Sequence, residues 1–159
     1  MSDTASSYAK IPAGTIVKWG ELSDTVAKLK PLPNCRSIGA MGEQGGFTDC
    51  TTLKDTQKQY ISDLPDGAEK NLLFIDHPED VNFANLLNAA EQRKTIQLYV
   101  ELPNKRTSLS VIALAGWQMK EIAAPASEAI MIEIKGRQNA ITWGTTATSP
   151  SANTVSPSA

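Results

Sequence analysis

The stretch DHPEDVNFANLLNAAEQRKTIQLYVEL, residues 76–102, changes its hydrophobic period once, and that change decides the fold. In its first half Phe83, Leu86, Leu87 and Ala90 recur at i, i+3, i+4 and i+7, the apolar stripe of a helix. Asp76 and Glu79 have capping-box spacing, and Pro78 is tolerated in a first turn. Arg93 and Lys94 stand where cations suit a helix C-terminus. The pattern predicts a helix over 78–92 with Asp76, Pro78 and Glu79 leading into it. In the second half Ile96, Leu98, Val100 and Leu102 alternate with Thr95, Gln97, Tyr99 and Glu101, which predicts a half-buried strand.

Outward from this segment the period-2 signal dominates. Downstream, Pro103-Asn104-Lys105 predicts a turn, and Leu109 to Trp117 a returning strand with both faces covered at its centre. A loop follows at Ala123 to Ser127. Ile130, Ile132 and Ile134 then alternate with polar or smaller groups, Gly136-Arg137 predicts a turn, and Gln138 to Trp143 predicts a last strand. Upstream, Thr15 to Trp19 and Arg36 to Met41 predict short strands. Gly42-Glu43-Gln44-Gly45-Gly46 predicts a break, and Phe47 to Leu53 another strand. Residues 54–67 are polar with turn chemistry at Pro65-Asp66-Gly67. Leu72-Leu73-Phe74-Ile75 suits a buried strand. Many strands, one helix and no βαβ alternation predict a mainly β (α+β) fold, an antiparallel β-sandwich or barrel with one flanking helix. Its exposed edges would invite another chain. Three regions result: an N-terminal arm over 1–11, a folded body over 12–143, and a Ser/Thr/Pro-rich tail over 144–159 that cannot offset its ordering entropy.

Composition narrows the function. The chain has 159 residues, 41% of them hydrophobic, enough for one core. Lys+Arg number 15 against Asp+Glu 17, so no basic excess favours gripping phosphates. The start lacks an apolar leader, and no run is long enough to span a bilayer. The lone His77 leads into the helix, without partners for catalysis. Asp76, Glu79 and Asp80 are accounted for by the helix dipole rather than a metal. The glycine-rich break lacks the lysine and following helix of a phosphate loop. Cys35 and Cys50 have no zinc or thiol-catalysis context and are expected as reduced thiols, with any pairing between them left open. Trp19, Trp117, Trp143 and Tyr60 suit core or interface positions. No cofactor, metal or enzymatic activity is expected.

The order of these elements resembles siphophage major tail tube proteins over roughly residues 36–143. The likeness begins at Ile38-Gly39-Ala40-Met41-Gly42. It continues through Phe47-Thr48-Asp49-Cys50-Thr51-Thr52-Leu53-Lys54-Asp55, where Asp49, Thr51, Leu53 and Asp55 match an acidic–threonine signature. Tyr60 to Gly67, with Asp63 and Asp66, is similar to a tyrosine–turn–Leu–Asp–Gly segment that precedes the helix. Cys50 and Asp63 depart from the aliphatic residue and the glycine common there, and the C-terminal immunoglobulin-like domain of some members is not expected. The resemblance implies a non-enzymatic virion protein, assembled in the host bacterial cytoplasm. Its hexameric rings would stack into a tube whose strands form one continuous β-barrel. Tape measure protein would fill the lumen, and DNA would later pass without specific binding. The segment with Gly42, Gly45, Gly46, Phe47, Asp49, Thr51, Leu53, Asp55, Tyr60, Asp63 and Asp66 would form the ring-stacking loop, mobile in the free subunit. Two other readings are a related tail ring, such as a terminator or baseplate ring, and a monomeric β-sandwich binding module.

Overall fold

The computed structural model describes residues 4–67, 69–120 and 129–146. Along the chain run α1 (Ala5–Tyr8), β1 (Ile16–Glu21), a 3-10 turn (Val26–Lys28), β2 (Lys30–Pro31), β3 (Cys35–Ser37), β4 (Glu43–Asp49) and β5 (Tyr60–Gly67). Then come β6 (Glu69–Ile75), α2 (Val81–Glu91), β7 (Thr95–Glu101), β8 (Arg106–Met119) and β9 (Met131–Thr145). Seven strands form one antiparallel sheet in the order β2-β1-β7-β8-β9-β6-β3, curled into half a barrel, while β4 and β5 pair separately. This is the mainly β fold with a flanking helix that the alternation implied. The expected loop at 123–127 lies outside the described residues.

The core forms between α2 and one face of the sheet. Phe83, Leu86, Ala89 and Ala90 of α2 are buried against Trp19 of β1, Ile96 and Leu98 of β7, Ile112 of β8, Ile134 of β9, and Leu72 and Phe74 of β6. The Phe74 and Phe83 rings meet at 5.3 Å between centroids. Truncating Phe83 to Ala would cost about 3–5 kcal/mol at such a site. Trp19 Nε1 donates to the Asn82 carbonyl (3.1 Å), joining β1 to the first turn of α2.

The helix starts later than its sequence spacing suggests. The cap is Asp80, whose Oδ1 accepts from Asn82 N–H at 3.0 Å, and α2 runs from Val81. Asp76, His77, Pro78 and Glu79 precede it: Asp76 N–H donates to the Ile130 carbonyl, and His77 to Asp80 form a turn. The expected capping box is therefore replaced by a local Asp80 cap. At the other end Arg93 adopts a left-handed φ of 56° and turns the chain into β7.

Three expected breaks are strands instead. Gly45 and Gly46 belong to β4. Pro65-Asp66-Gly67 ends β5 rather than turning. Gly136-Arg137 lies inside a continuous β9 of 15 residues. Gly136 is required by packing, not by a turn: a Cβ there would sit 2.7 Å from Ile112 Cγ2 and 3.1 Å from the Ala113 carbonyl oxygen. The strand expected over Arg36 to Met41 is shorter, since β3 ends at Ser37, and the one expected over Phe47 to Leu53 is displaced toward the N-terminus, running from Glu43 to Asp49. β7 is buried on both faces, because the segment after β1 folds over its polar side. There Gln97 Nε2 donates to the carbonyls of Glu21 (2.7 Å), Leu22 (3.1 Å) and Asp24 (2.9 Å).

Candidate assembly surfaces

A strap, residues 38–42, lies against the core, with Ile38 and Met41 packed on it. Lys70 is buried on the α2 side of β6, and its Nζ donates to the carbonyls of Ile38 (3.3 Å) and Ala40. Gln138 Nε2 donates to the Gly42 carbonyl (3.0 Å), and Ser108 Oγ contacts Met41 Sδ at 3.5 Å. Burial lowers the Lys70 pKa, since the charged ammonium is removed from water. The carbonyls replace only part of that hydration.

From the strap the chain leaves the sheet as the β4–β5 hairpin. Phe47 pairs with Ser62 and Asp49 with Tyr60, so Phe47 and Tyr60 share one face, while Thr48 and Ile61 share the other. The hairpin carries Phe47, Leu53, Tyr60, Ile61 and Leu64 into solvent, with Leu64 83% exposed. Both β4 and β5 are mostly exposed, in contrast to the strands of the main sheet.

The tip is ordered by side chains. Asp49 Oδ1 accepts from Thr51 N–H (2.9 Å) and Thr51 Oγ1 (2.6 Å), and Thr51 Oγ1 accepts from Gln59 N–H (2.9 Å). Asp55 Oδ2 accepts from Thr52 N–H (2.9 Å) and Thr52 Oγ1 (3.1 Å). Bonds from Thr51 hold the Asp49 carboxyl below its ordinary pKa. Asp49, Thr51 and Asp55 thus shape the tip, and Leu53 projects from it fully exposed. Asp63 Oδ1 accepts from Leu64 N–H at a bulge, opposite Gly45, whose missing Cβ would meet the Leu64 carbonyl at 2.6 Å. Gly46 has open space around it.

The hairpin root rests on β9. Asp66 pairs with Arg137 (3.3 Å), an exposed ion pair of about 0–1 kcal/mol. Gly67 packs against the backbone of Gln138. Gly42, at the other foot, has φ +123° and lies beside the Trp143 ring. The expected loop residues therefore divide into tip formers (Asp49, Thr51, Asp55), exposed apolar groups (Phe47, Leu53, Tyr60) and root positions (Gly42, Asp66). Ile61 and Leu64 belong to the Tyr60–Gly67 segment, but the sequence does not single them out as contact residues; Gln138 has no role there beyond its strand, and Lys70, which reads as a solvated cation, is buried instead. An apolar residue in a polar stretch without period was the available signal for the first two. Lys70 and Gln138 gave none, because their carbonyl partners are distant in sequence.

Elsewhere the chemistry is spare. Cys35 and Cys50 are free thiols, Cys35 beneath the strap and Cys50 exposed at the tip. Among the described residues no group of three or more His, Cys, Asp or Glu could hold a metal ion, and no helix is long and apolar enough to cross a membrane.

Known proteins match this architecture. No curated protein sequence matches the chain. Solved structures do. The baseplate of the anti-feeding prophage contains a chain with a TM-score of 0.69 at 10% identity, covering 91% of this chain and 98% of that one. The tail of an empty gene transfer agent particle, from helical refinement with C6 symmetry, gives a TM-score of 0.62 at 10% identity, covering 86% and 100%. The SPP1 tail tube gives a TM-score of 0.62 at 9% identity, covering 82% and 76%. At such identities the likeness is one of fold. The phage tail tube protein family matches residues 10–146, nearly the whole described chain, and the protein belongs to that structural, non-enzymatic family.

Proposed function

We propose that this chain is the repeating subunit of a siphophage-type tail tube, with six copies closing a ring and rings stacking into a hollow conduit for the genome. The observation that carries the reading is the β4–β5 hairpin. It holds Phe47, Tyr60, Ile61 and Leu64 in water, and nothing among the described residues covers them. Exposed apolar groups gathered on one projection mark a protein contact. The residues from Gly42 to Asp66 supply the ring-stacking loop. The C6 symmetry of the gene transfer agent tail supports a six-membered ring.

The lumen wall is the sheet face away from α2. Leu109, Val111 and Ala113 of β8 and Ala140 and Thr142 of β9 lie on it, half-buried or exposed. Two of its cations have carboxylate partners: Lys135 lies 3.8 Å from Glu69, and Arg137 3.3 Å from Asp66. A wall with locally balanced charge does not accumulate phosphate contacts, so DNA passes without specific binding. Tape measure protein would occupy the same lumen during assembly in the host cytoplasm.

Negative-stain microscopy of the concentrated protein tests this. Tubes of uniform width are expected. Single rings that never stack would favour a terminator or baseplate ring, and a persistent monomer would favour a binding module. Amide exchange over 42–67 is expected to slow on stacking; equal rates in monomer and tube would refute the stacking role of the hairpin.

A further inference from the structure

The buried face of the main sheet changes character along its length. Every second residue of a strand lies on one face. On β6 that face runs Phe74, Leu72, Lys70; on β8 it runs Ile112, Ser110, Ser108; on β9 it runs Ile134, Gly136, Gln138. All nine positions are buried. Phe83 and Leu86 of α2 cover the apolar level. The strap covers the polar one: Lys70 bonds Ile38 and Ala40, Ser108 touches Met41, and Gln138 bonds Gly42.

The strap is fastened by side chains alone. Among the described residues, 38–42 make no main-chain-to-main-chain hydrogen bond: the pairing of β3 ends at Ser37, and that of β4 begins at Glu43. Closure also leaves polar groups short of partners. Gln138 Oε1 is buried without one, and the Lys70 ammonium meets two carbonyls but, among the described residues, no carboxylate. Opening would hydrate both groups, which offsets part of the bonding and of the Ile38 and Met41 packing that it gives up. Both ends are hinged. Gly39 has a φ of +69° with nothing within 4 Å of its Cβ position, and Gly42 has a φ of +123°.

We propose that residues 39–42 are a clasp, which opens from the sheet while the rest of the body stays folded and so sets whether the β4–β5 hairpin is anchored or loose. Gly42 is at once the last residue of the clasp and the incoming foot of the hairpin, so the two move together. With the clasp open, the arm is rooted by its outgoing foot alone, at Asp66 and Gly67. The inference rests on the tube reading and names a regulator of its stacking arm. A tip gripped by the next ring restrains Gly42 and favours the closed clasp, and an open clasp weakens stacking by the same coupling.

Lys70 reports the clasp, because its amine is covered when the clasp is closed. Acylation by the N-hydroxysuccinimide ester of acetic acid, followed by peptide mass spectrometry, compares it with exposed Lys28. In the free full-length subunit Lys70 is expected to react at a rate that low urea leaves unchanged, since a local opening exposes little surface. In tubes it should react ~10-fold more slowly relative to Lys28. Gln138→Leu unfastens Gly42; it should speed Lys70 acylation in the free subunit by ~10-fold and raise the critical concentration for tubes by a similar factor. Four results would each overturn the proposal: no acylation of native Lys70, a rate that climbs with urea as steeply as global unfolding, equal rates in subunit and tube, or an unchanged critical concentration in Gln138→Leu. If Gln138→Leu does not fold, the wild-type comparison decides. Urea-independent acylation in a wild-type chain that never forms tubes refutes the tube reading and upholds the opening of the clasp.

Discussion

Substituting Gly67 by alanine tests how the hairpin is rooted. A β-carbon at Gly67 would fall inside the contact radius of the Gln138 carbonyl oxygen, 2.8 Å from its carbonyl carbon and 3.3 Å from its Cβ. The obstacle is backbone, and it is held in place. Gln138 pairs with Ile112 in the sheet, and its side chain is bonded to Gly42. Overpacking costs about 1–3 kcal/mol. A fixed backbone obstacle puts Gly67→Ala in the upper part of that range, ~2–3 kcal/mol. With roughly 3–5 °C lost per kcal/mol for a body of this size, its midpoint should fall by roughly 6–15 °C. Gly46→Ala is the matched control in the same hairpin. It meets nothing within 4 Å, and alanine there narrows the unfolded ensemble, so it should stabilise by about 0.4–1 kcal/mol. Thermal melts and urea titrations of both variants decide. Equal midpoints for the two would refute the steric account of Gly67.

Asp80→Ala should cost ~1 kcal/mol in urea unfolding through its lost cap, whereas Asp76→Ala should stay within about 0.5 kcal/mol; a larger loss at Asp76 would restore the capping box. Lys70→Met leaves the Ile38 and Ala40 carbonyls without their donor. It should lower stability by ~1–2 kcal/mol and speed proteolysis near the strap. Burial pushes the Cys35 thiol from 9.0 up to about 11. The unfolded chain then releases that proton first, so stability should fall as pH rises from 9.0 to about 11. Cys35→Ala should flatten that part of the pH profile. At pH 8 a thiol reagent should modify exposed Cys50 in the native protein, and Cys35 only after unfolding.

Sequence made the core legible where one face of an element is buried. Phe83, Leu86 and Ala90 marked α2, and Ile96, Leu98 and Val100 marked β7, because burial imposes a period. It misled where glycine served packing. Gly136 and Gly67 look like turn residues, yet both lie in strands whose neighbours come too close for a Cβ. The hairpin was legible only in part: the strand expected over Phe47 to Leu53 overlaps β4 at Phe47 to Asp49, whereas the solvent-exposed β5 reads as a polar stretch with turn chemistry. Gln97 and Tyr99 read as a solvent face, yet both are buried, Gln97 under the turn after β1. Of the candidate loop, Asp49, Thr51 and Asp55 were legible as a motif, but their bonds are to the tip's own backbone and hydroxyls. The exposed apolar groups beside them were not, since nothing in a single chain says what will cover Ile61 or Leu64.

Both feet of the hairpin stand on one residue. Gln138 holds the incoming foot with its side chain at Gly42, and the outgoing foot, Gly67, rests on its main chain. The projection is therefore a lever with a single fulcrum on β9. Eight residues of β5 place the tip about 26 Å from that point. A tilt of ~10° in β9 at Gln138 would carry the tip by roughly 4–5 Å at that reach. In the proposed tube, the strand that borders the conduit and the arm that reaches for the next ring would be geared to each other, so a change in bore and a change in stacking angle would be one motion.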